Sequence, residues 1–267
     1  MLKLASWNVN SLRVRLEHLG QWLALEKPDA LGLQETKLTD DKFPVAEIQA
    51  LGYHCVFSGQ PTYNGVAILA KASSFRAIDE WTCDEPRLPG DQKRFIAASL
   101  TTLQGDTRIR FINLYVPNGS EVGSEKYSYK LQWLDALRLR LEEEQASHPL
   151  CCVVGDFNIA PDDIDVHDPM AWQDKILCSK PERQRFQDLL SLGFTDSFRA
   201  QSGAENQAFS WWDYRQGGFR RNQGMRIDHL LASDALMKHC EQVGIDRTPR
   251  GWEKPSDHAP ALASFKL

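Results

Sequence analysis

Leu150-Cys151-Cys152-Val153-Val154-Gly155-Asp156-Phe157-Asn158 is the stretch of this 267-residue chain whose reading decides the fold. Residues 150–154 form an unbroken apolar run. A run of that kind predicts a strand covered on both faces. Polar, turn-prone residues then fill 155–169, so the strand ends where the chemistry-bearing side chains begin. Upstream, Tyr127, Leu131, Leu134, Leu137 and Leu141 mark a long amphipathic helix. Before it, 95–103 and 108–116 read as a hairpin around Gln104-Gly105-Asp106. A second hairpin joins 53–57 to 66–69, and 44–51 suits a short helix capped by Gly52. At the start, 2–7 alternate as a strand ending near Asn8. Ser11 reads as the N-cap of a helix carrying Leu12, Leu16, Leu19 and Leu23, with Pro28 after its stop. A short strand at 30–33 ends at Gln34-Glu35. Downstream come a helix near 182–192 and strands near 207–214, 226–231, 241–246 and 259–265. Strands and helices mix without strict alternation. The expectation is an α/β four-layer sandwich, two mixed β-sheets face to face with helices outside. No linker or repeat divides the chain, so one domain over 1–267 is expected.

Bulk properties narrow the classes. The chain is 42% apolar and 25% charged, ordinary for a soluble globular protein. No stretch approaches the ~20 apolar residues of a membrane helix. The N-terminus lacks an apolar signal core. Six cysteines at 55, 83, 151, 152, 178 and 240 form no CxxC pair and no zinc spacing. A reducing, cytoplasmic setting is expected. The net charge of −5 argues against coating nucleic acid through charge alone. It is compatible with a local basic groove beside a carboxylate-rich site.

The polar residues cluster at strand ends. Asn8 follows the first strand and Glu35 the second. Tyr115 and Asn118 flank Pro117, and Asp156 and Asn158 follow the apolar run. Asp228 lies within Met225-Arg226-Ile227-Asp228, while Asp257 and His258 precede the last strand. Converging, they would make the carboxylate–amide–imidazole cluster that phosphodiester hydrolysis requires. A hard cation such as Mg²⁺ binds carboxylate and amide oxygens and keeps several waters. A carboxylate or imidazole must orient or deprotonate the attacking water. Singly, each residue reads as readily otherwise: Glu35 as a surface acid, Asp156-Phe157-Asn158 as an Asx turn, His258 as a structural histidine. The ordered set is far harder to dismiss.

Ser6-Trp7-Asn8-Val9-Asn10, Leu33-Gln34-Glu35-Thr36-Lys37, Asn113-Leu114-Tyr115-Val116-Pro117-Asn118-Gly119, Val154-Gly155-Asp156-Phe157-Asn158, Arg226-Ile227-Asp228 and Lys254-Pro255-Ser256-Asp257-His258-Ala259-Pro260 together resemble the exonuclease III family of DNA-repair nucleases. The likeness spans nearly the whole chain. It implies Glu35 as main metal ligand, with Asn8 and Asp257 near the metal. It implies Asp156 as the group that activates water or protonates the leaving group, with Asn158 positioning it. His258, paired with Asp228, would face the scissile phosphate, and either Asp156 or His258 would move the proton. Tyr115 and Asn118 would be phosphate-side donors, with Mg²⁺ or Mn²⁺ as cofactor. The implied partner is double-stranded DNA with abasic sites, nicks or blocked 3′ ends, and a monomer is the default.

Residues 209–226 interleave aromatic and basic side chains, as nucleic-acid surfaces do. Phe209 and Trp211 suit a strand core equally well. On the family pattern, Trp211 and Met225 would wall a pocket for a flipped-out, base-less sugar, with Arg215, Arg220 and Arg221 on a DNA-facing loop. Lys93 and Arg94 are a further basic contact, while Glu121 puts an acid where a DNA protein would favour a base. The sequence departs from its relatives at His167, where many have a smaller residue. His167 is expected to narrow the groove and favour 3′ ends over internal abasic sites. The rival reading is a phosphatase of the same fold acting on lipid or inositol phosphates.

Overall fold

The computed structural model describes residues 1–267. Its strands are β1 (Leu2–Asn8), β2 (Ala30–Gln34), β3 (Tyr53–Ser58), β4 (Val66–Lys71), β5 (Phe75–Thr82), β6 (Phe95–Thr102), β7 (Arg108–Tyr115), β8 (Cys151–Asp156), β9 (Phe194–Asp196), β10 (Trp211–Trp212), β11 (Gly224–Met225), β12 (Asp228–Ser233), β13 (Cys240–Ile245) and β14 (Ala261–Phe265). The helices are α1 (Leu12–Glu26), α2 (Val45–Ala50), α3 (Glu125–Ser147), α4 (Pro169–Trp172), α5 (Lys180–Leu190), α6 (Ser197–Ser202) and α7 (Asp234–Met237). One six-stranded sheet runs β13-β14-β1-β2-β4-β3, the other β5-β6-β7-β8-β12-β9. Each holds one parallel pair, β1–β2 and β7–β8, among antiparallel neighbours. Both sheets are therefore mixed, as expected. No helix is long and apolar enough to cross a membrane.

Burial explains why the fold-deciding run has no polar face. Cys152 and Val154 of β8 point between the sheets, where they meet Leu4, Ile68, Phe111 and Leu230. Cys151 and Val153 point outward, beneath Trp133, Leu137 and Leu141 of α3 and Phe186 and Leu189 of α5. The first sheet repeats the scheme: Ala5, Trp7 and Leu31 face Leu19, Trp22 and Leu23 of α1. The order is helix, sheet, sheet, helix, the expected four layers.

A polar clasp crosses the sheet interface near the strand ends. Asn113 of β7 donates to the carbonyls of Leu33 and Ala67, both at 2.8 Å, and accepts from Gln34 at 2.6 Å. The sheets approach this closely because residue 32 is glycine. A Cβ there would lie 2.7 Å from Val154 Cγ2 and 2.8 Å from Asn113 Oδ1.

Several expectations need correction. Ser11 does not cap α1 through its side chain; its φ is 89°, and its N–H is spent on the Glu35 carbonyl at 2.8 Å. The strand expected at 207–214 shrinks to Trp211–Trp212, paired with β11. The stretch is instead a loop packed through Trp212 and Phe219. The edge strands β5 and β9 were not foreseen. The ladder of β5 slips twice, which breaks its alternation, and β9 has only three residues.

Candidate active site

The parallel pairs bring the ends of β1, β2, β7 and β8 to one edge of the sandwich. Asp228 opens β12 directly opposite Asp156 in the ladder. The segment before β14 reaches the same edge through an antiparallel bridge between Trp211 and His258. The strand-end residues therefore converge.

Asn8 is buried at the centre. Its Nδ2 donates to Glu35 Oε1 and to Asp156 Oδ2, both at 2.9 Å. Its Oδ1 accepts from the Asn10 N–H at 2.9 Å. Asn8 was expected as a group near the metal. Its oxygen is turned away from the acidic pair, and its N–H groups hold the two carboxylates together. Glu35 sits at φ 52°, in the left-handed region, directly after β2. Such a backbone persists only where its surroundings enforce it, and here the Ser11 N–H grips the Glu35 carbonyl. Its Oε2 pairs with Lys37 Nζ at 2.9 Å.

His258 lies between two acids. Its Nδ1 is 2.9 Å from Asp228 Oδ2, and its Nε2 is 3.6 Å from Asp156 Oδ2. Burial alone would push the imidazole towards neutrality. The charges of Asp228 and Asp156 outweigh it and lift the pKa to about 10. Asp156 is pushed up to about 7, chiefly by burial, with His258 opposing and Asp228 reinforcing. Its Oδ1 accepts from the Asn158 N–H at 2.9 Å. Asp228 Oδ2 also takes the Ser210 hydroxyl at 2.6 Å. Tyr115 is kept protonated by burial and by the charges of Glu35 and Asp156. The Arg94 guanidinium covers its ring at 4.6 Å. Asn118 Nδ2 donates to Asn158 Oδ1 at 3.0 Å, and Asn158 Nδ2 to the Val116 carbonyl at 3.0 Å.

Glu35, Asp156 and His258 offer ligand atoms all within 4.8 Å of one another. Asp228 already holds the Nδ1 of His258 at 2.9 Å. The two carboxylates that Asn8 draws together are hard oxygen donors, which suit a divalent cation of the Mg²⁺ type. Asp257, expected near the metal, is outside this group. Asn10 Nδ2 occupies its Oδ1 at 2.9 Å and Trp211 Nε1 its Oδ2 at 3.0 Å.

Beside the cluster, His167, Trp172, Trp211, Arg215 and Gln223 line a depression of about 230 Å³. Met225 does not wall it; it is fully buried behind Trp211, among Val166 and Ile227. Arg220 and Arg221 are exposed on the same loop, while Arg215 is paired with Asp213 at 2.7 Å. His167 is half-buried, its N–H and Nδ1 both 3.1 Å from the Gly224 carbonyl. Lys93 and Arg94 are half-buried and Glu121 is exposed. Sequence reasoning missed Asn10 and Ser210. Asn10 stood inside a quoted motif, so its amide was a visible signal; Ser210 had none.

Fold and site together define a hydrolytic enzyme on a four-layer α/β sandwich, built around paired carboxylates and an acid-flanked imidazole. The chain belongs to the endonuclease/exonuclease/phosphatase family, whose model matches residues 5–258. It is 38% identical to an exodeoxyribonuclease III of Haemophilus influenzae, over 99% of this chain and 100% of that one. Among solved structures it is similar to a Neisseria 3′ phosphatase bound to a product DNA hairpin, with TM-score 0.92 and 45% identity. An AP endonuclease from Archaeoglobus fulgidus superposes with TM-score 0.91 and 38% identity. Both structural matches cover 100% of each chain.

Proposed function

We propose that the protein is a DNA-repair phosphodiesterase of the exodeoxyribonuclease III type, acting at nicked or blocked 3′ ends and at abasic sites of duplex DNA. The observation that carries this reading is the chain Asp228–His258–Asp156 ending against Glu35, with Asn8 joining the two carboxylates. Glu35, with Asp156 beside it, would hold Mg²⁺ or Mn²⁺. The bound ion supplies positive charge to the phosphoryl and leaving oxygens. His258, held by Asp228 through Nδ1 and facing Asp156 through Nε2, stabilises charge on a phosphate oxygen. Asp156 serves in this reading as the proton-transfer group, its oxygens fixed by Asn8 and by the Asn158 N–H. Tyr115 and Asn118 donate to phosphate oxygens as neutral groups, and Asp257 orients Asn10 and Trp211 at the rim. A 3′-hydroxyl is left on the cut strand. The core shared by the two sheets supports a single domain over 1–267. Six free cysteines support a reducing, cytoplasmic compartment, and a monomer leaves the site open to a long duplex.

His167 decides the balance of substrates in this reading. Its ring stands edge-on to Trp172, 6.5 Å between centroids, and shares the depression with Trp211. An internal abasic site must extrude its sugar past this rim, whereas a terminal 3′ group enters from the open end. Two labelled duplexes test the whole reading, one with an internal abasic-site analogue and one nicked with a 3′-phosphate. Mg²⁺-dependent turnover is expected on both, faster at the nick, and abolished by EDTA. Replacement His167→Gly should raise the ratio of abasic-site to 3′-end cleavage; an unchanged ratio removes His167 from the account. Turnover of neither duplex, with hydrolysis of inositol phosphates instead, would favour the phosphatase reading.

A further inference from the structure

Lys130 lies on α3 with its side chain wholly out of solvent. A buried ammonium is costly unless each of its three donors finds an acceptor. Here each does. Nζ donates to the main-chain carbonyl of Asn158 at 2.6 Å and to that of Asn118 at 3.2 Å, and it pairs with the carboxylate of Glu182. Glu182 is equally buried in the first turn of α5. It accepts from the N–H groups of Leu177 and Ser179, each at 3.1 Å, and from the Ser179 hydroxyl at 2.5 Å. That hydroxyl lies 2.7 Å from the Tyr127 hydroxyl, back on α3. The pair therefore locks two outer helices together and projects its remaining donors at two carbonyls in the catalytic loops.

Those carbonyls belong to the two asparagines whose side chains meet at 3.0 Å. Asn158 sits at φ 50°, a conformation that needs outside support. Gly119, at φ 90°, lets the loop lie against the lysine: a Cβ there would be 3.0 Å from Lys130 Cδ and 2.9 Å from Ile176 Cδ1. Burial alone does not explain an ion pair here, because apolar side chains of similar volume are often as stabilising. What an apolar pair could not do is hold two carbonyl oxygens at one point.

We infer that Lys130 is a positioning residue for hydrolysis, fixing Asn118 against the phosphate and Asn158 against Asp156 through their main-chain carbonyls, with Glu182 orienting its ammonium. The inference rests on the roles proposed above, Asn118 as a phosphate-side donor and Asn158 as the residue that positions Asp156.

The test is the neutral pair Lys130→Met with Glu182→Gln, assayed on the nicked 3′-phosphate duplex with Mg²⁺, well below its unfolding temperature. The expected result is a kcat lower by about tenfold to a hundredfold, the scale of a misplaced contact, with KM for the duplex little changed. Asn158→Ala should cost much less in the neutral-pair background than alone, since the lysine acts through that residue. A lowered Tm with wild-type kcat means a structural pair only and overturns the inference, as do additive losses in the cycle. Wild-type kcat in both Asn118→Ala and Asn158→Ala would sink the reading of the asparagines instead, and the inference with it. If the neutral pair does not fold, Glu182→Gln alone gives the reading. A kcat several-fold lower at constant KM supports the inference, and an unchanged kcat refutes it.

Discussion

At the scale of single residues, the site depends on how few oxygen atoms serve several partners. Asp228 Oδ2 takes both His258 and Ser210, while its buried Oδ1 has no partner. Ser210 Oγ also accepts from the N–H groups of Ile227 and Asp228, at 3.1 and 3.0 Å. Replacing Ser210 with Ala should therefore cost about 1–3 kcal/mol of stability through the unpaired buried groups. It should also lower kcat by loosening the acid that holds His258. Thermal unfolding and single-turnover rates read the two effects separately, and an unchanged kcat would leave Ser210 a purely structural residue. His258→Ala should lower kcat by about 10²–10³-fold, as removal of a charge-stabilising donor does, with little change in Kd for the duplex. Loss of affinity alone would contradict the role given to it. Glu35→Ala should need far more Mg²⁺ for the same rate; an unchanged Mg²⁺ dependence would remove Glu35 as the ligand. The acids and the histidine were legible in the sequence because each borders an apolar segment. The partners of Asp257 were not: Asn10 and Trp211 lie 247 and 46 residues away, and no periodicity reports such a contact.

At the scale of elements, strands buried on both faces were the most legible. β8 and β2 are continuous apolar runs because each lies between the other sheet and a helix layer. The elements that went unread are those whose burial is partial. The alternation of β5 is broken by two register slips, and Trp211 and Trp212 look like strand residues although most of their neighbours form a loop. The close approach of the sheets was equally hidden, since one glycine decides it. Gly32→Ala puts a methyl group into Val154 and Asn113. Such overpacking should cost about 1–3 kcal/mol. It should also lower kcat, because β2 carries Glu35 and β8 carries Asp156. A denaturant midpoint shifted by that amount with normal turnover would mean that the clasp and the site are independent.

At the scale of the whole molecule, the charges away from the site form networks that tie the layers together. Arg226 is buried against Asp165 at 2.6 Å and Asp196 at 2.7 Å, and its Nη1 lies 3.0 Å from His229 Nδ1. This joins the loop bearing His167 to the strand bearing Asp228. A second network sets Arg110 against Glu144 at 2.8 Å, joining β7 to α3. Burial would raise the pKa of Asp196, but Arg226 and His229 win and hold it below its usual range. Glu144 is lowered in the same way by Arg110 and Arg140 against its burial. Burial, helped by Arg226, lowers His229. All three groups bind protons more weakly folded than unfolded, so stability falls as pH falls. The contribution of His229 is complete above about pH 6.5 and starts to fade below it. Those of the two acids are complete above about pH 4–5 and are lost as pH drops through their folded values. These three groups should therefore lower the unfolding free energy gently from pH 7 to 5 and more steeply below, opposed by Asp156, whose raised pKa favours the folded state as pH falls from about 7. Arg226→Met should cost about 3–5 kcal/mol at pH 7, because it strands the buried carboxylate of Asp196 and leaves Asp165 with Arg199 alone. It should also flatten the acid slope, because Asp196 would no longer be held ionised. If variant and parent lose stability in parallel between pH 6 and 3, the acid sensitivity arises elsewhere in the molecule.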